Sequence, residues 1–476
     1  MIDLLIAGAT VVTVDAERRV IDDGAVAVDG GRILAVGSTG ELSQRHQARR
    51  TLDARRKVVM PGLIDGHGHA GHGLVKTLGG DDGEQWFRAC EAIYAGASSR
   101  DFWHAEALLT TLERLKAGTT TGVSLLGGGD SVMRTDDPLY ADRHMQAVEQ
   151  VGIRTVLAVG PRRPPFPRSY VNWEQGRREL TVSFADQLAV CEETIRHWHG
   201  RHGRLHVCLV LPVVHPERHV HGAAELAELQ QQAAAVRELL ERHGVLFHQD
   251  GHTRGTIRYL HDRFGLTGAR SFFSHSTRLT DDEITLCADT DSRIVHNPSA
   301  VASILGRCPV TELIDAGVTV MLGSDGTAPD RSYDMFRHIF QCMRYHRYHF
   351  HDSDVLPPGK VLEMATIDAA RGLGLDHEIG SLETGKQADI ILLDMAKPHL
   401  YPLNMPLYRA LYFANGADVD TVIVSGRILM ENRRVTTVDE AGVLEFAQQE
   451  TETMLERSGL HHLLETREGF WGRTHY

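Results

Sequence analysis

Met60-Pro61-Gly62-Leu63-Ile64-Asp65-Gly66-His67-Gly68-His69 is an apolar run that ends in two histidines two residues apart. Side chains alternate faces along a strand, so both imidazoles point the same way. Gly68 between them admits a close backbone approach. Two same-facing imidazoles at a strand end suit a divalent ion that takes neutral nitrogen ligands. A pair of surface histidines in a loop is the plain alternative. It loses ground because later strand-like runs also end in His or Asp.

From residue 60 onward, strand-like and helix-like runs alternate. Residues 101–117 are helical by periodicity and closed by Gly118, and a strand-like run follows at 119–126. Helical patterns near 138–150, 179–199 and 222–243 each lead into another β-run. A generous count gives nine such runs, one more than a closed barrel takes, with the surplus expected between residues 119 and 160. Parallel strands with helical crossovers in that number predict an α/β chain built on a (β/α)8 TIM barrel. A doubly wound sheet is the runner-up. Its one support, the G-x-G-x-x-G match from Gly66 to Gly71, has histidines in its variable places and no helix pattern directly after it.

Both flanks are β-rich. Residues 1–59 contain a hairpin signal at Asp29-Gly30-Gly31, and residues 386–435 return to strand character with a turn at Ser425-Gly426. The simplest arrangement pairs the two segments into one small β-sandwich built from both chain ends, around a barrel over 60–385. Residues 436–476 read as a charged helical tail ending in Phe470-Trp471 and Tyr476, either a packing arm for a homo-oligomer or a solvated helix.

A formal net charge of −13 over 476 residues argues against nucleic acid or an anionic membrane as the main partner. Six scattered cysteines without a C-x-x-C pair fit a reducing cytoplasm better than a disulfide framework. No signal peptide or run of transmembrane length is legible. Histidine, at 28 residues, is more abundant than structural use calls for.

Catalytic groups of a barrel sit at the C-terminal ends of its strands. With His248 ending the fifth strand, the ends are His67 and His69 on the first, His275 on the sixth, His296 on the seventh and Asp325 on the eighth. Together these form a candidate metal site.

The phrase from Pro61 to His69 resembles the first motif of the amidohydrolase superfamily. His296-Asn297-Pro298 is similar to its seventh-strand motif, Gly323-Ser324-Asp325-Gly326 to its eighth, and the stretch from Gly380 to Asp389 to its re-entry into the sandwich. The likeness covers nearly the whole chain and points to the branch of triazine chlorohydrolases, cytosine deaminase and adenosyl-homocysteine deaminase, with phenylurea and molinate hydrolases as the suggested nearest kin. The resemblance implies that His67, His69, His248 and Asp325 bind one divalent metal, Zn2+ by default and Fe2+, Co2+ or Mn2+ otherwise. It further implies that Asp325 is the base and that His275 assists at the reacting water. The runs at 153–160 and 205–215 contain no lysine to bridge a second ion, which favours a single-metal site.

One position departs from the pattern. Deaminase-like members carry a glutamate three residues after the fifth-strand histidine, where it moves a proton to the leaving nitrogen. Here that place is Gly251, and a glycine transfers no proton. His252 is the preferred substitute, with Asp250 second. The loss tilts the expected reaction toward amide, urea or carbamate cleavage of a small, aromatic molecule. Aminohydrolysis or dechlorination of a purine, pyrimidine or triazine ring is the alternative, and a non-catalytic metal-binding scaffold the third reading. His72, Trp86, His296 and Asn297 are candidate substrate-binding residues. Arg162 and Arg163, and the loop histidines His215, His219 and His221, read as solvated or structural groups.

Overall fold

Eight short parallel strands form the centre of the computed structural model, which describes residues 1–80, 82–128, 132–300 and 305–472. They are β1 (Leu63–Asp65), β2 (Thr119–Leu125), β3 (Arg154–Val159), β4 (Leu205–Val210), β5 (Phe247–Gln249), β6 (Ser271–Ser274), β7 (Arg293–His296) and β8 (Val320–Leu322). Each pairs with the next in chain order. The circle closes through backbone bonds, from Gly66 N to Leu322 O and from Asp325 N to His67 O, both 2.9 Å. This is a barrel, not a doubly wound sheet. Both runs between residues 119 and 160 belong to it, so the expected surplus strand does not exist, and β5 still carries His248. β2 and β3 are buried throughout, as parallel strands covered on both faces must be.

The opening run divides at Gly62. Lys57–Pro61 joins the β domain, and only Leu63–Asp65 enters the barrel ladder. Another expectation shifts at residues 179–199. Arg178–Val182 is a strand paired with Arg168–Asn172, and the helix begins later, at Phe184. Ser183 and Asp186 form the capping box that starts it there.

The two chain ends meet in one nine-stranded sheet, joined where Lys57–Pro61 pairs antiparallel with Ile390–Asp394. Leu4, Ile6, Val11, Val26, Val28 and Leu392 form a core of its own there. The hairpin between Val20–Asp29 and Arg32–Ser38 turns on Gly30 and Gly31, whose φ values of 56° and 79° are what a two-residue mirror-type turn requires.

Helix α1 (Arg100–Lys116) follows β1, α2 (Met335–Phe350) follows β8, and α3 (Glu440–Ser458) covers α1. α3 buries Val443, Ala447, Met454 and Leu455, so this part of the tail packs on its own barrel. Phe470 and Trp471 beyond it are exposed. Asp81 of the stretch before Trp86 and the terminal Tyr476 lie outside the described residues. Among the described residues, no helix is long and apolar enough to cross a membrane. All six cysteines are buried and unpaired.

Candidate metal centre

A buried ion pair sets the frame of the site. Asp65, at the end of β1, accepts from Arg114 of α1 at 2.9 Å, from the Ser324 backbone N at 2.8 Å and from the Ser324 hydroxyl at 2.8 Å. Arg114 also donates to Val123 O and to the Ser124 hydroxyl on β2. Three strand ends are thereby tied by one carboxylate and one guanidinium. Gly68 lies under this arginine, and a Cβ there would come within 2.7 Å of Arg114 Nη2. The sequence pattern kept Asp65 inside its first motif but carried no signal for Arg114.

Above that frame the strand ends converge. Asp325 Oδ1 lies 3.2 Å from His67 Nε2 and 3.1 Å from His69 Nε2. Asp250 Oδ1 lies 3.3 Å from His67 Nε2 and 3.0 Å from His275 Nε2, and its Oδ2 is 3.5 Å from His69 Nε2. One ligand atom each from His67, His69, Asp250 and Asp325 lies within 4.8 Å of the others, a group that can hold a metal ion. His248 joins from the side, its Nε2 2.9 Å from His67 Nδ1 and its ring stacked on Phe272 at 4.2 Å.

The remaining ring nitrogens are held from behind. His69 Nδ1 donates to Gly127 O at 3.0 Å and His248 Nδ1 to Phe272 O at 2.9 Å, which turns each Nε2 toward the cluster, His69 to Asp325 and His248 to His67. Asn297 Nδ2 donates to His275 Nδ1 at 3.4 Å, so the Nε2–H of His275 points at Asp250. His275 and Asp325 both adopt left-handed backbone, with φ of 63° and 64°. Such conformations cost about 1–3 kcal/mol each and persist where neighbouring bonds over-determine them. Here those bonds run from His275 N to Val295 O and from Asp325 N to His67 O.

The charges explain why a cation belongs here. Burial pushes the Asp250 and Asp325 carboxyls up, but His67 beside the first and Arg331 beside the second hold both well below the usual range. Burial would likewise lower the His67 imidazole, yet Asp250 and Asp325 lift it to about 9. Without an ion, then, a proton on His67 supplies the positive charge that two buried carboxylates demand. Burial holds the His248 imidazole well below its ordinary value, in the neutral form a ligand needs.

The other sequence candidates distribute unevenly. His252 is buried next to Asp250, but its ring bonds Thr256 Oγ1 at 2.9 Å and Gln249 Oε1 at 3.1 Å, away from the strand-end histidines. Asp250, the second choice from sequence, is the carboxylate that meets them. His72 stacks on His69 at 4.5 Å, neutral by burial, and its ring nitrogens have no hydrogen-bond partner among the described residues. Trp86 packs edge-on behind His72 and donates to Val75 O, so its indole is buried. His296 turns from the mouth toward α2, where His346 lies 3.3 Å away.

A cavity of about 1000 Å3 opens over the cluster, lined by Asp250, His252, His275, Arg163, His219 and Arg278 among others. His215 and His219 line it as well, and Arg163 donates to His219 Nδ1 at 2.9 Å, so these loop groups are neither plain solvent-facing side chains nor remote. Arg162 is buried and paired with Glu91 at 2.7 Å. Arg331, which no sequence pattern marked, stands 3.2 Å from Asp325 Oδ2.

Known proteins resemble this chain in sequence and in fold. The amidohydrolase family profile matches residues 58–429, and a bacterial imidazolonepropionase-like composite domain matches residues 24–46. The 5′-deoxyadenosine deaminase of Methanosarcina acetivorans is 30% identical over 476 residues, covering 96% of this chain and 100% of that protein. The 5-methylthioadenosine/S-adenosylhomocysteine deaminase of Syntrophobacter fumaroxidans is 29% identical over 451 residues, covering 93% and 96%. An adenosine deaminase from Xanthomonas campestris, solved with bound zinc, superposes with a TM-score of 0.81 at 25% identity over 96% of this chain and 99% of its own. An atrazine chlorohydrolase from Arthrobacter aurescens TC1, complexed with zinc, shares the fold with a TM-score of 0.76 at 22% identity over 94% and 100%.

Proposed function

Because this chain belongs to the amidohydrolase family, hydrolases of carbon–nitrogen bonds other than peptide bonds, we propose that it releases ammonia or an amine from a small, flat nitrogen heterocycle. The observation that carries this reading is Asp250. A carboxylate stands at the reacting centre, 3.0 Å from His275 Nε2, although the usual glutamate position is Gly251.

His67, His69, His248 and Asp325 would hold one divalent ion, Zn2+ first; three of the four, His67, His69 and Asp325, belong to the strand-end group, and the zinc in related structures supports the reading. Bound there, such an ion supplies Lewis acidity that makes water give up a proton near neutral pH. Asp325 takes that proton. Arg331 and the Asp325 N–H bond to His67 O fix its carboxylate. Asp250, facing both His275 and the cavity, would receive that proton from Asp325 and pass it to the leaving nitrogen. His275, aligned by Asn297, presents an N–H to the oxygen on which charge develops. His72, stacked on His69 and backed by Trp86, would be the wall nearest a flat ring.

A second substrate class, amides, ureas or carbamates, is favoured by Gly251. A Cβ added there meets nothing within 4 Å, so the glycine leaves room beside Asp250 for a bulkier group. We read residues 60–385 as the catalytic barrel, 1–59 with 386–435 as the β domain and 436–476 as the tail, in a homo-oligomeric enzyme.

Purified enzyme is offered aminopurines, aminotriazines, anilides, phenylureas and carbamates, and products are read as ammonia or amine. Ring aminohydrolysis that falls with Asp250→Asn supports the first reading. Turnover confined to anilides or ureas and indifferent to Asp250→Asn overturns it.

A further inference from the structure

A second group of buried donors lies behind β7. His296 ends that strand, and Cys342 and His346 stand one helical turn apart on α2, so they share a face. Nε2 of His296 and Nε2 of His346 are 3.3 Å apart, and one ligand atom from each of the three residues lies within 4.8 Å of the others. All three side chains are fully buried.

The spacing fits a shared ion. Two nitrogens bound at about 2.0–2.1 Å to a tetrahedral centre lie about 3.3 Å apart. Neither ring is committed to a tautomer that forbids this. Among the described residues, Nδ1 of His296 and Nδ1 of His346 have no hydrogen-bond partner, so both Nε2 lone pairs are available at once. Burial keeps both rings neutral, with His346 lowered to about 4. Arg307, the guanidinium whose charge acts on both rings, is paired with Glu312 at 2.8 Å. Two imidazoles and a thiol without a carboxylate make a softer set than the one at the strand ends.

We propose that His296, Cys342 and His346 form a binding site for one thiophilic d10 cation, Zn2+ or Cu+, separate from the ion of the catalytic centre. Binding replaces the Cys342 S–H bond with a sulfur–metal bond and releases one proton to solvent. The ion would brace the wall that holds Asn297 against His275.

Full-length protein is exchanged into Co2+ as a spectroscopic stand-in for Zn2+, and separately titrated with Cu+ against a competing chromophoric chelator. The catalytic centre has no sulfur ligand, so a near-ultraviolet thiolate-to-cobalt band reports the second site alone. The expected result is that band, or one retained Cu+ per chain, lost in Cys342→Ser and His346→Gln and kept in His67→Ala. The band marks a Zn2+ site and retained Cu+ without it a Cu+ site. Neither signal in the wild type, or a signal that survives Cys342→Ser, overturns the proposal, and neither result depends on turnover.

Discussion

The cluster around His67 and the cluster around His296 use the same side chain in different company. At the strand ends, imidazoles meet two carboxylates, and one ring is lifted to about 9 by the acids around it. Behind β7, imidazoles meet a thiol and each other, and burial, helped by Arg307, keeps them neutral. On our proposal, carboxylates suit the first cluster to hard or borderline divalent ions and to proton transfer. Their absence makes the second one neutral, and useful only to a soft ion. What a histidine does in this barrel is set by its neighbours, not by its place at a strand end.

The contrast can be broken experimentally. Asp325→Asn is expected to cost on the order of 10^4 in kcat and to release the ion at the strand ends, while the Cys342 site keeps its own. Metal analysis beside steady-state kinetics checks both halves. Asp250→Asn should lower kcat by about 10^2–10^3 with metal content unchanged, whereas His252→Asn stays within about tenfold. Loss of metal in Asp250→Asn would make that residue a ligand and not a proton carrier.

Arg114→Met tests the frame under the first cluster. It leaves Asp65 buried without its cation, a defect that costs about 3–5 kcal/mol, measurable by chemical denaturation. The His346 cluster, which has no link to that pair, should hold its ion in the folded variant.

His144 is the control for both clusters, a buried imidazole with no hydrogen-bond partner among the described residues. Burial, helped by Arg114, lowers it from 6.5 to about 3. The unfolded chain binds a proton there below about 6.5 and the folded chain does not. Its contribution to stability is therefore intact above pH 6.5 and lost as pH falls toward 3. The loss is on the order of 1 kcal/mol per pH unit. Melting temperature against pH should show this slope in the wild type and a shallower one in His144→Leu.

Much of this was legible before any coordinates. The i, i+2 histidines after an apolar run, the periodic helices and the turn at Gly30-Gly31 are local signals, and the β-runs carried their strand-end residues in order. The departures came where signals overlap. Lys57–Pro61 and Leu63–Asp65 read as one run because both are apolar, though they serve two different sheets. Both runs between 119 and 160 are barrel strands, since a closed sheet needs each edge paired. His252, four residues on from His248, read as the preferred replacement for the glutamate. Its ring is instead taken by Gln249 and Thr256, while Asp250 points inward.

The sequence by itself determined the kind of chemistry, because residue types and their strand-end spacing are properties of the chain read locally. Only the tertiary structure decided which carboxylate faces the centre, which guanidinium supports Asp65 and Asp325, and which histidine turns to meet Cys342. Those choices depend on rotamers and on partners far apart in sequence, fixed only when the strands close into a ring.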